Sequence, residues 1–151
     1  MANKLLLCVD LPEADGHVVD FAVRLAEDLG AAIEVLHIVA PEPDFVGYTS
    51  FVYPGRDEQA HELRREKAAL SELAERLKAE GAQVSAYMKE APTVDGILEF
   101  AHHHEIRMIV IGSHSKGAIS TFLLGSVAKE LVKRADIPVL VVPPPKAQSE
   151  T

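Results

Sequence analysis

Short apolar runs alternate with longer amphipathic segments along most of the chain. Mostly apolar or β-branched runs occupy residues 5–9, 33–39, 107–111 and 138–142. Runs of this length with few polar interruptions are typical of strands that are covered on both faces of a sheet. A further segment, 84–88, alternates more between apolar and polar residues, as an edge strand would. The pattern therefore predicts five strands.

The segments between these runs have the 3.6-residue period of amphipathic helices. The first helix is expected to begin at Asp15 or a near neighbour and to end at Gly30, because aspartate caps helices and glycine ends them. The others are predicted at 58–80, 92–101 and 127–135. Strands that alternate with helices imply an α/β fold, an open parallel sheet with helices on both faces and right-handed crossovers.

The segment 40–57 interrupts this alternation, since prolines and glycines recur in it together with Phe45, Tyr48, Phe51 and Tyr53. Its aromatic side chains are expected to pack on a ligand, on a partner subunit or on the chain's own sheet edge. At the other end, three prolines at 143–145 stop the last strand. The polar residues 146–151 are predicted to form a disordered tail, which leaves 1–145 as one domain.

Composition and charge narrow the class of protein. The chain has 151 residues, enough for one domain, and a formal net charge of −8. This charge argues against non-specific binding to nucleic acid and to anionic membranes, which require a basic face. Cys8 is the single cysteine, and no signal peptide or membrane span is visible near Met1. We therefore expect a cytoplasmic protein without membrane insertion.

The stretch from Met108 to Ser126 is the part of the sequence that most suggests a ligand. It is predicted to form a buried strand, a loop of small residues and the start of a helix. Such a turn collects backbone N–H groups at the positive end of the helix, where anions bind readily. Gly112, Gly117 and Gly125 fall where the backbone must bend or a ligand must approach closely. The stretch therefore predicts a phosphate site.

Asp10 follows the first predicted strand directly. In open α/β sheets the carboxyl ends of the strands form the ligand-binding edge, so Asp10 is a candidate ligand contact. An aspartate at this position is equally consistent with a helix cap or a turn. Both interpretations stay open on spacing alone.

The sequence gives little support for catalysis or for a metal centre. His37 is interpreted as a packed strand residue, because no partner at metal-ligand spacing is near it. Residues 102–104 are three successive histidines at a helix end, and adjacent helical positions point in different directions, so we interpret them as structural or surface residues. Cys8 lies within a strand and reads as a buried apolar residue. We predict no catalytic residue and no metal ligand.

Two common phosphate-binding patterns are excluded. The dinucleotide fingerprint is absent after the first strand, where Asp10 is followed by Leu-Pro-Glu. The P-loop pattern nearly matches between Gly112 and Gly117, but Ala118 and Ile119 occupy the positions of its lysine and its serine or threonine.

A third pattern matches. Gly112-Ser-His-Ser115, nine further residues and Gly125-Ser126 resemble the G-x2-G-x9-G-[ST] signature of the universal stress protein family. The similarity spans the whole chain. The other matching segments are Val9-Asp10, His37-Ile-Val39, Leu124-Gly-Ser-Val-Ala128 and Ile137-Pro-Val-Leu-Val-Val142.

The resemblance implies a Rossmann-like sheet of strand order 3-2-1-4-5 and a homodimer formed through the last strand, Val139–Val142. It also implies ATP, with or without Mg²⁺, at the carboxyl edge. Asp10 and Val39 would contact the adenosine, and backbone N–H groups of the turn would surround the ribose and phosphates. The residues implied to bind the nucleotide are Asp10, Val39, Ile111, Gly112, Ser115, Lys116, Gly125, Ser126 and Val127.

The sequence departs from the family pattern at Ser115, which replaces the second glycine of the signature. If that position needs a positive φ, a side chain costs on the order of 1 kcal/mol and clashes with phosphate. If it needs only an N–H group, serine is tolerated. We therefore expect an ATP-binding stress or signalling module, with an unidentified protein partner. The alternatives are a dimeric interaction protein that has lost nucleotide binding and, more remotely, a small-molecule hydrolase dependent on Asp10.

Overall fold

The computed structural model describes residues 3–41, 56–113 and 124–145. These residues form an alternating series of strands and helices. In chain order the elements are β1 (Lys4–Cys8), α1 (Gly16–Leu29), β2 (Ala32–Val39), α2 (Arg56–Ala79), β3 (Val84–Glu90), α3 (Thr93–His103), β4 (Met108–Gly112), α4 (Ser126–Arg134) and β5 (Val139–Val142).

The five strands form one parallel sheet of order β3-β2-β1-β4-β5. This confirms the predicted fold and strand order, and β3 lies at an edge as its alternating pattern predicted. The chain first builds outward from β1 through β2 to β3, and then crosses back to place β4 on the other side of β1. The order therefore reverses between β1 and β4. In open α/β sheets a ligand crevice forms at the carboxyl ends of the strands beside such a reversal.

The core has one layer on each side of the sheet, and β1 contributes to both. Leu5 and Leu7 pack with α1 and α2, whereas Leu6 between them packs with α3 and α4. All three side chains are fully buried, which stabilises the fold by roughly 1.5–3 kcal/mol for each relative to exposure. Because both faces are covered, the strand has no polar alternation, and this explains the unbroken apolar run in the sequence.

The predicted ends of α1 are confirmed. The Asp15 carboxylate accepts a hydrogen bond from the His17 backbone N–H at 2.9 Å and so caps the helix. Gly30 ends the helix with a φ of +62°, a left-handed conformation that glycine adopts without steric cost. The second helix differs slightly from the prediction, since α2 begins at Arg56.

Two of the predicted structural histidines are buried or half-buried. His37 is 3% exposed within β2. His104 stacks on Phe100 with ring centroids 3.8 Å apart, and its Nδ1 lies 2.9 Å from a carboxylate oxygen of Glu34. Glu34 is a buried acid that the strand pattern did not reveal, and Lys4 pairs with it at 3.3 Å. His102 and His103 are exposed.

Residues 42–55 and 146–151 lie outside the described part of the chain. The three alternatives for the aromatic segment and the prediction of a disordered tail therefore remain predictions. In the described ranges, no helix combines the length and the apolar character needed to cross a membrane.

Candidate functional site

A cavity of about 580 Å³ opens at the carboxyl edge of the sheet, where the strand order reverses. Its volume lies within the range that is usual for small-molecule sites, roughly 300–1,000 Å³. Strand ends form its floor, and the first turns of the helices that follow them form its sides. The described residues that line it are Cys8, Val9, Asp10, Glu13, Ala14, Asp15, Val18, Leu36, Ile38, Thr93, Ile97, Ile111, Gly112, Ser113, Gly125, Ser126, Val127, Ala128 and Pro144.

The N-terminus of α4 is held at the cavity by backbone hydrogen bonds. The Ser113 N–H donates to the carbonyl of Val142 at 2.9 Å, and the Gly125 N–H donates to the carbonyl of Ser113 at 2.6 Å. The two ends of the glycine-rich motif are thus joined directly, although the chain between them is long. This contact fixes where α4 begins relative to β4.

The first turn of α4 offers donors to a ligand. Gly125 is its N-cap and supplies no side-chain hydrogen bond to the following N–H groups. The first N–H groups of a helix have no intrahelical acceptor, and they carry the positive end of the helix dipole. Ser126 and Val127 both line the cavity, so their backbone amides belong to a surface suited to an anion such as phosphate.

Asp10 also lines the cavity. The strand β1 ends at Cys8, the Val9 N–H still donates to the carbonyl of Leu36 at 3.0 Å, and the chain then leaves the sheet. Asp10 is exposed at the cavity wall. Since Asp15 is the residue that caps α1, the capping role considered for Asp10 belongs to Asp15. The Asp10 carboxylate is available to accept hydrogen bonds from hydroxyl groups of a ligand.

Part of the cavity wall is apolar. Aliphatic side chains from four elements form a surface against which a flat ring could lie. They are Leu36 and Ile38 of β2, Ile97 of α3, Ile111 of β4 and Val127 of α4. The cavity therefore combines a hydrogen-bond acceptor, an apolar surface and a helix N-terminus suited to an anion.

Ser113 adds a polar group to this wall. It is 9% exposed, and its hydroxyl has no hydrogen-bond partner among the described residues. A buried hydroxyl without a partner is costly, so this atom can gain a hydrogen bond when a ligand enters.

The structure brings together most of the residues that the sequence indicated: Asp10, Ile111, Gly112, Gly125, Ser126 and Val127 all line the cavity. Val39 is not among its described lining residues, and Ile38 takes part instead. The Val39 carbonyl accepts the Ala91 N–H at 3.1 Å. Ser115 and Lys116 lie outside the described residues.

Sequence reasoning missed the contributions of α3 and of the turn between β1 and α1. Thr93 and Ile97 line the cavity from α3, and Glu13 and Val18 line it from the other side. A signal for them was present. In a parallel α/β sheet every helix begins at the carboxyl edge, so the first turn of any helix is a candidate wall.

The described lining offers no reactive thiolate. Cys8 contributes to the wall, but burial raises the pKa of its thiol from 9.0 to about 12, so the sulfur stays protonated at neutral pH. Within the described ranges, no group of three or more His, Cys, Asp and Glu residues is placed to hold a metal ion.

Comparison with known proteins gives consistent matches. The model of the universal stress protein family matches residues 1–143. A universal stress protein of Methanocaldococcus jannaschii is 29% identical over 148 residues, which cover 97% of this chain and 85% of the relative. Universal stress protein UspA from Lactobacillus plantarum superposes with a TM-score of 0.74 at 20% identity, covering 93% of this chain and 97% of that one. A universal stress protein from Archaeoglobus fulgidus, solved in complex with dAMP, superposes with a TM-score of 0.64 at 25% identity, covering 92% and 96%.

Proposed function

This chain belongs to the universal stress protein family, and we propose that it is a nucleotide-binding stress-response or signalling module that binds ATP in the cavity at the carboxyl edge. The proposal rests on one observation above the others. Asp10, an apolar wall and the uncapped N-terminus of α4 line the same cavity, and these are the three kinds of surface that an adenosine phosphate requires.

Each part of the nucleotide has a matching surface. The adenine ring lies against the aliphatic side chains, and the ribose hydroxyls donate to the Asp10 carboxylate. The phosphates accept hydrogen bonds from the backbone N–H groups of Ser126 and Val127, and the exposed Ser126 hydroxyl adds a donor. The relative from Archaeoglobus fulgidus was solved with dAMP, which supports an adenine nucleotide over other phosphates.

Mg²⁺ would enter with ATP, held chiefly by the phosphate oxygens, as is usual for this ion. We expect hydrolysis to be slow. The described lining includes no lysine, arginine or histidine to stabilise charge on a γ-phosphate. The protein is therefore proposed as a binding module, and not as an enzyme.

Dimerisation is part of the proposal. The strand β5 lies at an edge of the described sheet, and its sequence Val-Leu-Val-Val is entirely apolar. Bare apolar edges are normally protected, because they recruit other strands. A second copy pairing along Val139–Val142 protects this edge, and nucleotide binding would then change which partner the dimer contacts.

A second candidate function comes from Ser115, which occupies the second glycine position of the signature. If its side chain excludes phosphate, the protein is a dimeric interaction protein of the same fold without nucleotide. The two candidates share the fold and differ in one measurable property.

Calorimetric titration of nucleotide-stripped protein with Mg-ATP tests the proposal. We expect saturable binding and a raised melting temperature. Asp10→Asn should weaken the affinity by roughly tenfold to a hundredfold, because a charge-assisted hydrogen bond is weakened. Asp20→Asn is the matched control, since Asp20 is an exposed aspartate on α1 outside the described cavity lining.

The same titration separates the two candidates. Absence of heat and of any melting shift at millimolar ATP would remove the nucleotide proposal for the parent protein. If Ser115→Gly then binds ATP where the parent does not, the second candidate is supported.

A further inference from the structure

His37 stands between two cavity-lining residues in the sequence, but its side chain faces away from the cavity. Its neighbours Leu36 and Ile38 line the cavity, and strand alternation turns His37 to the other side of the sheet. There it is 3% exposed. A buried imidazole needs hydrogen-bond partners, because an unpaired polar group in the interior is costly.

The polar neighbours of one ring nitrogen flank the proposed ligand contact. His37 Nδ1 lies 3.2 Å from the carbonyl oxygen of Val9 and 3.4 Å from the backbone nitrogen of Leu11. These are the residues on either side of Asp10. The chain leaves β1 at this point, so its peptide groups no longer form the regular hydrogen bonds between strands. The imidazole supplies a partner that the sheet no longer offers.

The other ring nitrogen faces α2. His37 Nε2 lies 3.5 Å from a carboxylate oxygen of Glu66, which is 14% exposed. A charged carboxylate opposite a bare nitrogen lone pair is repulsive, so we assign the proton of the neutral ring to Nε2. The Val9 carbonyl is then a close neighbour of Nδ1 and not a hydrogen-bond partner. Nδ1 is then an acceptor and takes the Leu11 N–H. The contact with α2 thus selects the tautomer that holds the loop.

We propose that His37 is a positioning residue for the nucleotide site. It fixes Leu11 through Nδ1, and thereby fixes where the adjacent Asp10 carboxylate lies. Its Nε2 faces Glu66 of α2 at 3.5 Å without forming a hydrogen bond there. The effect on affinity rests on the proposed function, whereas the effect on the loop does not require a nucleotide.

Three substitutions separate the two nitrogens. His37→Asn places a polar atom near the position of Nδ1, His37→Gln places one near the position of Nε2, and His37→Leu fills similar space with neither. At pH 7.5 we expect His37→Leu and His37→Gln to weaken Mg-ATP binding by about tenfold, as the Asp10 loop loses its fixed position. His37→Asn should stay within about threefold of the parent. Calorimetric titration measures these affinities.

A second measurement needs no nucleotide, and it can be interpreted even for variants that are less stable than the parent. Amide exchange followed by NMR reports the Leu11 N–H directly, and amides within β4 report global opening in the same sample. We expect the Leu11 amide to exchange about tenfold faster in His37→Leu than in the parent, relative to the β4 amides. His37→Asn should restore its protection.

The outcomes divide clearly. Unchanged ATP affinity and unchanged Leu11 exchange in His37→Leu overturn the proposal, and so does an equal loss in the Asn and Leu variants. If the parent binds no ATP, the proposed function fails, and Leu11 exchange alone decides whether His37 holds the loop.

Discussion

Single residues in the cavity wall are adapted to burial, and Cys8 is the example with a measurable consequence. It is partly buried at the end of β1 and borders the cavity. Burial disfavours the thiolate, so the thiol pKa in the folded protein, about 12, lies above the ordinary value of 9.0. The sulfur therefore behaves as an apolar group at neutral pH and packs as the sequence pattern predicted.

This shift predicts a pH dependence of stability. The folded protein retains the thiol proton in a range where the unfolded chain releases it. The contribution of Cys8 is complete below about pH 9 and is lost as the pH rises toward about 12. Urea unfolding of the parent and of Cys8→Ala at several pH values tests this. The unfolding free energy of the parent minus that of Cys8→Ala should be constant from pH 7 to 8. At higher pH this difference should fall by up to about 1.4 kcal/mol per pH unit. A constant difference up to pH 10.5 would contradict it.

Glu34 shows where residue-level reasoning from sequence ended. Its strand reads as a mostly apolar run, and nothing in that run indicates how a carboxylate is accommodated. The structure places Lys4 at 3.3 Å and His104 at 2.9 Å from its oxygens. These partners come from β1 and from the end of α3, so only the folded chain brings them together. A buried charge needs such partners, since its desolvation is costly.

At the scale of elements, α3 packs closely on β2 because a glycine lies between them. A Cβ atom added at Gly96 would lie 2.9 Å from the Ala91 Cβ and 3.0 Å from the Ile38 Cδ1. The first of these atoms is attached to the backbone and cannot rotate away. This glycine therefore permits a close approach of helix and strand, and Ile38 is part of the cavity wall.

We expect Gly96→Ala to destabilise the protein by about 1 kcal/mol. Overpacking costs roughly 1–3 kcal/mol, and the better helix propensity of alanine offsets up to about 1 kcal/mol. Gly16→Ala is the matched control, because it is also a helical glycine and a Cβ there meets nothing within 4 Å. Denaturant unfolding should show the control to be neutral or slightly stabilising. Equal effects at the two positions would count against the close-packing argument.

Element boundaries were predictable where a local signal sets them. Asp15 and Gly30 act through their own side chain or backbone conformation, so the two ends of α1 followed from the sequence. The lining of the cavity was less predictable. Ile38 and Val39 are neighbours in one strand. Which of them borders the cavity depends on the face of the sheet to which each side chain points and on the position of α3.

At the scale of the whole molecule, the apolar edge strand β5 leads us to expect a dimer. Val141→Lys should convert a dimer into a monomer, because a lysine on an edge strand opposes pairing with a second strand. Leu63→Lys is the control, since Leu63 is 38% exposed on α2, and α2 packs at the β3 side of the sheet. Light scattering at micromolar concentration measures both. A monomeric parent, or a dimeric Val141→Lys protein, would rule out this interface.

The sequence alone determined the α/β class, the element types and the position of the glycine-rich turn, because periodicity, capping and turn chemistry act over a few residues. Strand order and nucleotide contacts entered as implications of the family resemblance; the structure confirmed the order and left the contacts as a proposal. Only the tertiary structure decided which distant residues contact one another. The joining of Gly125 to Ser113, the pairing of Glu34 with His104 and the placement of His37 against Val9, Leu11 and Glu66 all depend on distances set when the sheet forms. Local sequence fixes conformation, whereas packing of distant segments fixes the cavity and its polar partners.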